Sequence, residues 1–145
     1  MPLPATQPVN PYGASKLSFE YAMGWYKAYG LRSVSLRYFT VYGPRQRPDM
    51  AFHRFIRSGL TGEPVTIFGD GSQTRDFTFI ADTVDATVKA LESGPPGEVL
   101  NVGGGSRVTL NDALDAIEAC LGRSLDRRYV ERARGDVTDT LADNS

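Results

Sequence analysis

Apolar positions along this chain recur with two periods in alternation. Leu17, Tyr21, Gly24, Trp25 and Ala28 fall three or four residues apart and Gly30 closes the run, which predicts a helix over residues 13–29. "RSVSLRYFTVYG" then reads as a buried strand from about Ser33 to Phe39, because it is β-branched, aromatic and bounded by glycine. "GPRQRPDM" is a loop, and "AFHRFIRSGLTG" sets Phe52, Phe55, Ile56 and Leu60 on one helical face. Two short strands follow, "PVTIFGDG" running into a turn and "TRDFTFI". Residues 82–92 predict a helix with Val84, Val88 and Leu91 inward, and "GEVLNVGGG" predicts a strand ending in a glycine turn. Thr109 and Asp112 have the spacing of a capping box for a helix carrying Leu110, Ala113, Leu114, Ile117 and Leu121 up to Gly122. "LDRRYVE" reads as an edge strand. Strands and helices that alternate in this way predict an α/β or mixed arrangement.

Composition adds bounds rather than detail. The 145 residues suffice for one domain, and 41% hydrophobic with 23% charged residues is a globular balance. A net charge of −1 gives no basic field to attract nucleic acid or an anionic membrane. The single cysteine, Cys120, excludes an internal disulfide and a Cys-rich zinc site, and is expected to be a buried structural thiol. His53 has no second histidine or nearby cysteine to share a metal with. No apolar run approaches the roughly 18 residues of a membrane span, and "MPLPATQPV" lacks a signal-peptide pattern, so a cytoplasmic location is expected. The proline-rich opening and the ending on "TDTLADNS" read as cuts through a longer protein.

Candidate chemistry begins at "NPYGASKLSFE". Tyr12 and Lys16, four residues apart, stack on one helical face. An ammonium beside a phenol favours the phenolate, which can then exchange protons with a substrate. The spacing alone discriminates little, since in most helices such a tyrosine packs and such a lysine is solvated. The glycine clusters at 69–71 and 103–105 are not dinucleotide loops: the third glycine of G-x-G-x-x-G would fall on Thr74 or Val108. Tight turns are expected there.

Several ordered segments together narrow the reading. "PYGASK" with Glu20, "LRYFTVYGPRQRPDM", "VTIFGDGSQTRDF", "LNVGGG" and "RGDVTDTLAD" resemble, in sequence order, the NAD-dependent epimerase/dehydratase family of extended short-chain dehydrogenase/reductases. The resemblance implies the carboxyl-terminal part of a Rossmann-like α/β enzyme. Residues 1–43 would belong to the Rossmann-like domain and residues 44–145 to a nucleotide-sugar-binding domain. It also implies Tyr12 as the proton-transfer group, Lys16 on the ribose of NAD, and Phe39 against the cofactor. Thr40, where most relatives have asparagine, and Arg47 resemble the UDP-glucuronate 4-epimerases, with an arginine fork suited to a sugar carboxylate. Backbone groups of Thr66, Ile67 and Phe68 would hold uracil and Arg75 the diphosphate. Arg134 or Arg132 would add a phosphate contact and Asp136 a ribose contact. Without the family, Arg75 beside Asp76 is a surface ion pair.

The implied activity is C4 epimerisation of a UDP-sugar. A UDP-sugar decarboxylase, a 4,6-dehydratase and a non-catalytic UDP-sugar-binding fragment remain as alternatives. A homodimer through helix 13–29 is implied for the complete enzyme. The family's G-x-x-G-x-x-G strand and turn are not in this sequence. Tyr21, Trp25 and Val34 are therefore expected to form an apolar patch, and the chain alone is expected not to bind NAD usefully.

Overall fold

The computed structural model describes residues 7–8, 10–132 and 139–143. The elements, in chain order, are α1 (Pro11–Tyr26), β1 (Ser35–Tyr38), β2 (Thr40–Tyr42), α2 (Ala51–Thr61), β3 (Val65–Phe68), β4 (Thr74–Phe79), α3 (Ile80–Ser93), β5 (Val99–Val102), β6 (Arg107–Thr109), α4 (Leu110–Leu121) and β7 (Arg127–Val130). A 3-10 turn at Lys27–Tyr29 extends α1 to Gly30, whose φ of 82° ends it in the left-handed region.

Three small sheets organise the strands. β1 pairs in parallel with β5, Ser35 opposite Val99; β2 lies parallel to β4, which is antiparallel to β6; and β3 is parallel to β7. A single residue, Phe39, separates β1 from β2, yet across it the chain changes partner from β5 to β4. The predicted strand from Ser33 to Phe39 is thus the first of two. β6, three residues long, has too little pattern to be read from sequence. Because β5 returns to pair with β1, the segments 1–43 and 44–145 interleave.

Among the described residues the core lies in the second segment, where Phe55, Val65, Ile67, Leu114, Ile117 and Leu125 form one buried cluster. α4 is started by the reciprocal Thr109–Asp112 capping box and stopped at Gly122, as the sequence predicts. Gly59 sits where a Cβ would collide with Leu121 and Leu125, so its lack of a side chain lets α2 close on α4.

Three inward assignments change. On α2 the inner line is Phe52, Phe55 and Gly59, while Ile56 and Leu60 are exposed on its flank. On α3 the inner line is Thr83, Ala86 and Ala90, and Val84, Val88 and Leu91 face outward, Leu91 being 86% exposed. Small residues let α3 lie close on β2 and β4, so apolarity was the wrong guide to its inner side. Cys120 is exposed, because the buried positions of α4 are 113, 114 and 117. In the expected apolar patch Trp25 (79%) and Tyr21 are exposed, whereas Val34 is half-buried beside Gly94.

Candidate active site

The amino end of α1 is fixed by local chemistry. The Asn10 side chain accepts the Gly13 N–H at 2.8 Å and Pro11 occupies the first helical position, a favoured way to start a helix. Tyr12 and Lys16 then fall on successive turns, with Lys16 Nζ 5.2 Å from the centroid of the Tyr12 ring. Among the described residues Lys16 makes no ion pair. One turn further on, Glu20 takes both donors of a fork from Arg37 on β1, at 2.8 and 2.6 Å. These four residues line a cleft of about 980 Å³ with Phe19 and Met23 of α1, β1, and Leu91 of α3. α1 itself has no fully buried residue.

Beyond β1 the chain delivers Phe39, whose N–H donates to the Val102 carbonyl at 3.1 Å, and then Thr40, which stands opposite Phe77. The following loop is held by Gln46, which donates to the Val41 carbonyl at 2.9 Å and accepts the His53 N–H at 3.0 Å. Arg45 takes φ 65°, the only non-glycine residue in the left-handed region among those described. Arg47 projects from this loop and is gripped by both oxygens of Asp49, at 3.0 and 2.5 Å. Its pKa is raised above the ordinary arginine value, chiefly by that hydrogen bond, then by the charge of Asp49, and further by the negative charge that Tyr12 carries when ionised.

The remaining expected ligands lie on β3 and β4. Ile67 is in the core with 1% exposure, while the side chains of Thr66 and Phe68 are exposed. The Phe68 carbonyl already accepts from the Gln73 side chain at 3.0 Å. At the turn after β3 the Asp70 carboxyl is held below its usual range by the Ser72 hydroxyl and amide, with a smaller contribution from Arg132. Arg75 is half-buried, its Nη1 donating to the Thr74 carbonyl at 2.9 Å. Arg134 and Asp136 lie outside the described residues.

Asp76 is not half of a surface ion pair. It has 0% exposure and accepts the N–H groups of Gly104 at 2.7 Å, Gly105 at 3.3 Å and Ala142 at 3.0 Å. A Cβ at Gly103 would lie 2.7 Å from one Asp76 oxygen, and one at Gly104 would strike the Phe77 carbonyl. The glycine turn exists to admit this carboxylate. The sequence names Glu20 only within a motif and puts Asp76 on the surface, and it gives no role to Arg37 or Gln46, whose contacts carry no local signal.

A helix bearing the Tyr12–Lys16 pair is thus tied through Glu20 to Arg37 of the parallel β1–β5 pair, with Arg47 on the loop that follows. The pattern of the NAD dependent epimerase/dehydratase family matches residues 2–103, and the chain belongs to that family. It is 45% identical over 142 residues to the "Uncharacterized UDP-glucose epimerase YtcB" of Bacillus subtilis, covering 95% of this chain and 44% of that protein. It is 40% identical over 141 residues to a UDP-glucuronate 4-epimerase of Thermodesulfobacterium geofontis, covering 95% and 43%. The crystal structure of the Bacillus cereus UDP-glucuronic acid 4-epimerase, in complex with UDP-glucuronic acid and NAD, superposes with a TM-score of 0.90 at 46% identity. That match covers 97% of this chain and 45% of the other. The chain thus spans less than half the length of these relatives.

Proposed function

We propose that this chain is the carboxyl-terminal portion of an NAD-dependent 4-epimerase for a UDP-sugar bearing a C5 carboxylate, UDP-glucuronate being the favoured substrate and UDP-galacturonate the product. The observation that carries the reading is Arg47: its guanidinium holds a carboxylate, that of Asp49, in a two-point fork. A fork matched to carboxylates, on the loop after the strand that follows the tyrosine helix, suits a substrate with acid and reacting hydroxyl on one sugar ring.

The residues present fit one end of NAD. Lys16 keeps its donors for ribose hydroxyls, and Phe39 stands at the close of β1 for contact with the cofactor. The turn at 103–105 does not fit a pyrophosphate, because two of its amides are given to Asp76. When bound, NAD supplies a reversible hydride acceptor at the sugar C4. Tyr12 Oη takes the proton from the C4 hydroxyl and later returns one to the same oxygen. Lys16 holds the tyrosine and ribose in register, Thr40 donates to the sugar, and Arg47 fixes the carboxylate. Arg75, with Arg134 or Arg132, neutralises the diphosphate; Thr66, Ile67 and Phe68 offer backbone groups to uracil, and Asp136 accepts from the nucleotide ribose. We place residues 1–43 with the Rossmann-like domain and 44–145 with the sugar-nucleotide domain. We also propose a homodimer through helix 13–29 in the full-length enzyme.

A neutral sugar such as UDP-glucose is a second reading, favoured by Asp49, which already satisfies the Arg47 fork. The deciding experiment completes the chain with the dinucleotide-binding half of a relative and supplies NAD with each UDP-sugar. We expect UDP-galacturonate from UDP-glucuronate, and Tyr12→Phe should lower kcat by roughly 10²–10⁴-fold. Interconversion of UDP-glucose alone would favour the second reading. UDP-xylose or a lasting 4-keto product would move the enzyme to the decarboxylase or dehydratase branch. UDP binding without turnover would leave a binding fragment.

A further inference from the structure

The Tyr12–Lys16 pair carries a built-in hazard. Glu20 lies four residues beyond Lys16, as Lys16 lies four beyond Tyr12, so all three share one face of α1. At that spacing a lysine and a glutamate are within reach of an ion pair, and such a pair would draw the ammonium away from the tyrosine. The structure shows the opposite arrangement. Both Glu20 oxygens are taken by Arg37 from the neighbouring strand, at 2.8 and 2.6 Å. Glu20 is nearly buried by this contact, with 10% of its side chain exposed, and Lys16 Nζ stays over the Tyr12 ring.

We infer that Arg37 is a positioning residue that sequesters Glu20 and thereby leaves Lys16 to Tyr12. The inference rests on the catalytic reading of that pair for its purpose, but not for its measurement. A planar two-donor fork suits the task, because it occupies both carboxylate oxygens at once, whereas a single ammonium engages one and leaves the other for Lys16. The arrangement also gives Glu20 a second use, since the same ion pair ties α1 to β1.

These two roles make different predictions for the same variants. The lysines of the chain are Lys16, Lys27 and Lys89, so a lysine-selective isotope label gives a readable spectrum of the 145-residue protein. The Lys16 ε-methylene signal should be displaced by the ring current of Tyr12, the displacement disappearing in Tyr12→Leu, which also assigns it. Arg37→Met should abolish the displacement as Lys16 swings to Glu20. Glu20→Gln alone should keep it, and the double variant Glu20→Gln/Arg37→Met should restore it. Should Arg37→Met lose the helical amide pattern, Arg37→Lys is read in its place, with a smaller loss and the same rescue.

No ring displacement in the wild type would overturn the inference, as would an unchanged Lys16 signal on loss of the Arg37 fork. Loss of the displacement in Glu20→Gln, or no rescue in the double variant, would overturn it too, by showing that the pair only fastens the helix. The readout needs no turnover. A completed enzyme that is inactive while the Lys16 signals behave as described would sink the proposed function and leave the sequestration standing.

Discussion

Glu118 shows how one side chain on α4 acquires a pH dependence. It accepts the Leu125 N–H at 2.7 Å and Arg127 Nε at 3.2 Å, and Arg127 also reaches Asp115. The Leu125 amide first, and the Arg127 guanidinium after it, hold the Glu118 carboxyl below the usual range. A carboxyl depressed in the folded state contributes stability above its unfolded pKa, about 4.3 for glutamate. That contribution is lost as pH falls towards the folded value, because in this window the unfolded chain binds more protons. Glu118→Gln should therefore be less stable than the wild type at neutral pH, with the gap closing in acid. Urea unfolding at both pH values measures it, and an equal gap at each would refute the account. At this scale the sequence was readable where spacing alone defines the chemistry, as for Tyr12 and Lys16 or for Thr109 and Asp112. It misread Asp76 as half of a surface ion pair, because nothing local marks a carboxylate that finds its donors 28 and 66 residues away.

Between elements, Asp76 is the tie. From β4 it fastens the turn after β5 and the segment at Ala142, while neighbouring Thr74 bonds the Asp139 side chain and Thr140 N–H. Asp76→Ala strands the buried Ala142 amide and loses the bonds to the Gly104 and Gly105 amides; a buried amide left unsatisfied costs about 1–3 kcal/mol, so a loss of roughly 3 kcal/mol in unfolding free energy is expected. Gly103→Ala should approach that loss, since its Cβ would press on the same carboxylate and on Ala142. Near-wild-type stability in both variants would show the clasp to be dispensable. Element types were legible from periodicity, but their partners and inner faces were less so. α3 turns Thr83, Ala86 and Ala90 inward because closeness to the sheet, not apolarity, set its orientation. β2 escaped notice because one residue separates it from β1, and only the change of partner reveals the break.

For the whole molecule, the buried cluster belongs to the segment after residue 43, and α1 with β1 adds nothing to it. Family resemblance was legible from ordered motifs, yet the return of β5 to β1 was not, since pairing across more than 60 residues leaves no local trace. In the proposed reading the described residues hold one end of NAD, and two amides of the 103–105 turn are engaged by Asp76. Calorimetric titration of the 145-residue chain with NAD should show a Kd weaker than about 1 mM, less than about 4 kcal/mol of binding. A micromolar Kd for the monomeric chain would contradict that expectation.

α1 carries Tyr12 and Lys16 but buries no side chain completely. Affinity at this place is therefore a compound quantity: whatever grips the pair must also supply the free energy of holding the helix against the sheet. Ligands confined to β3 and β4 are exempt from that deduction, whereas those bridging α1 and β1 bear all of it. Loosening the helix would then discriminate between ligands that share every other contact.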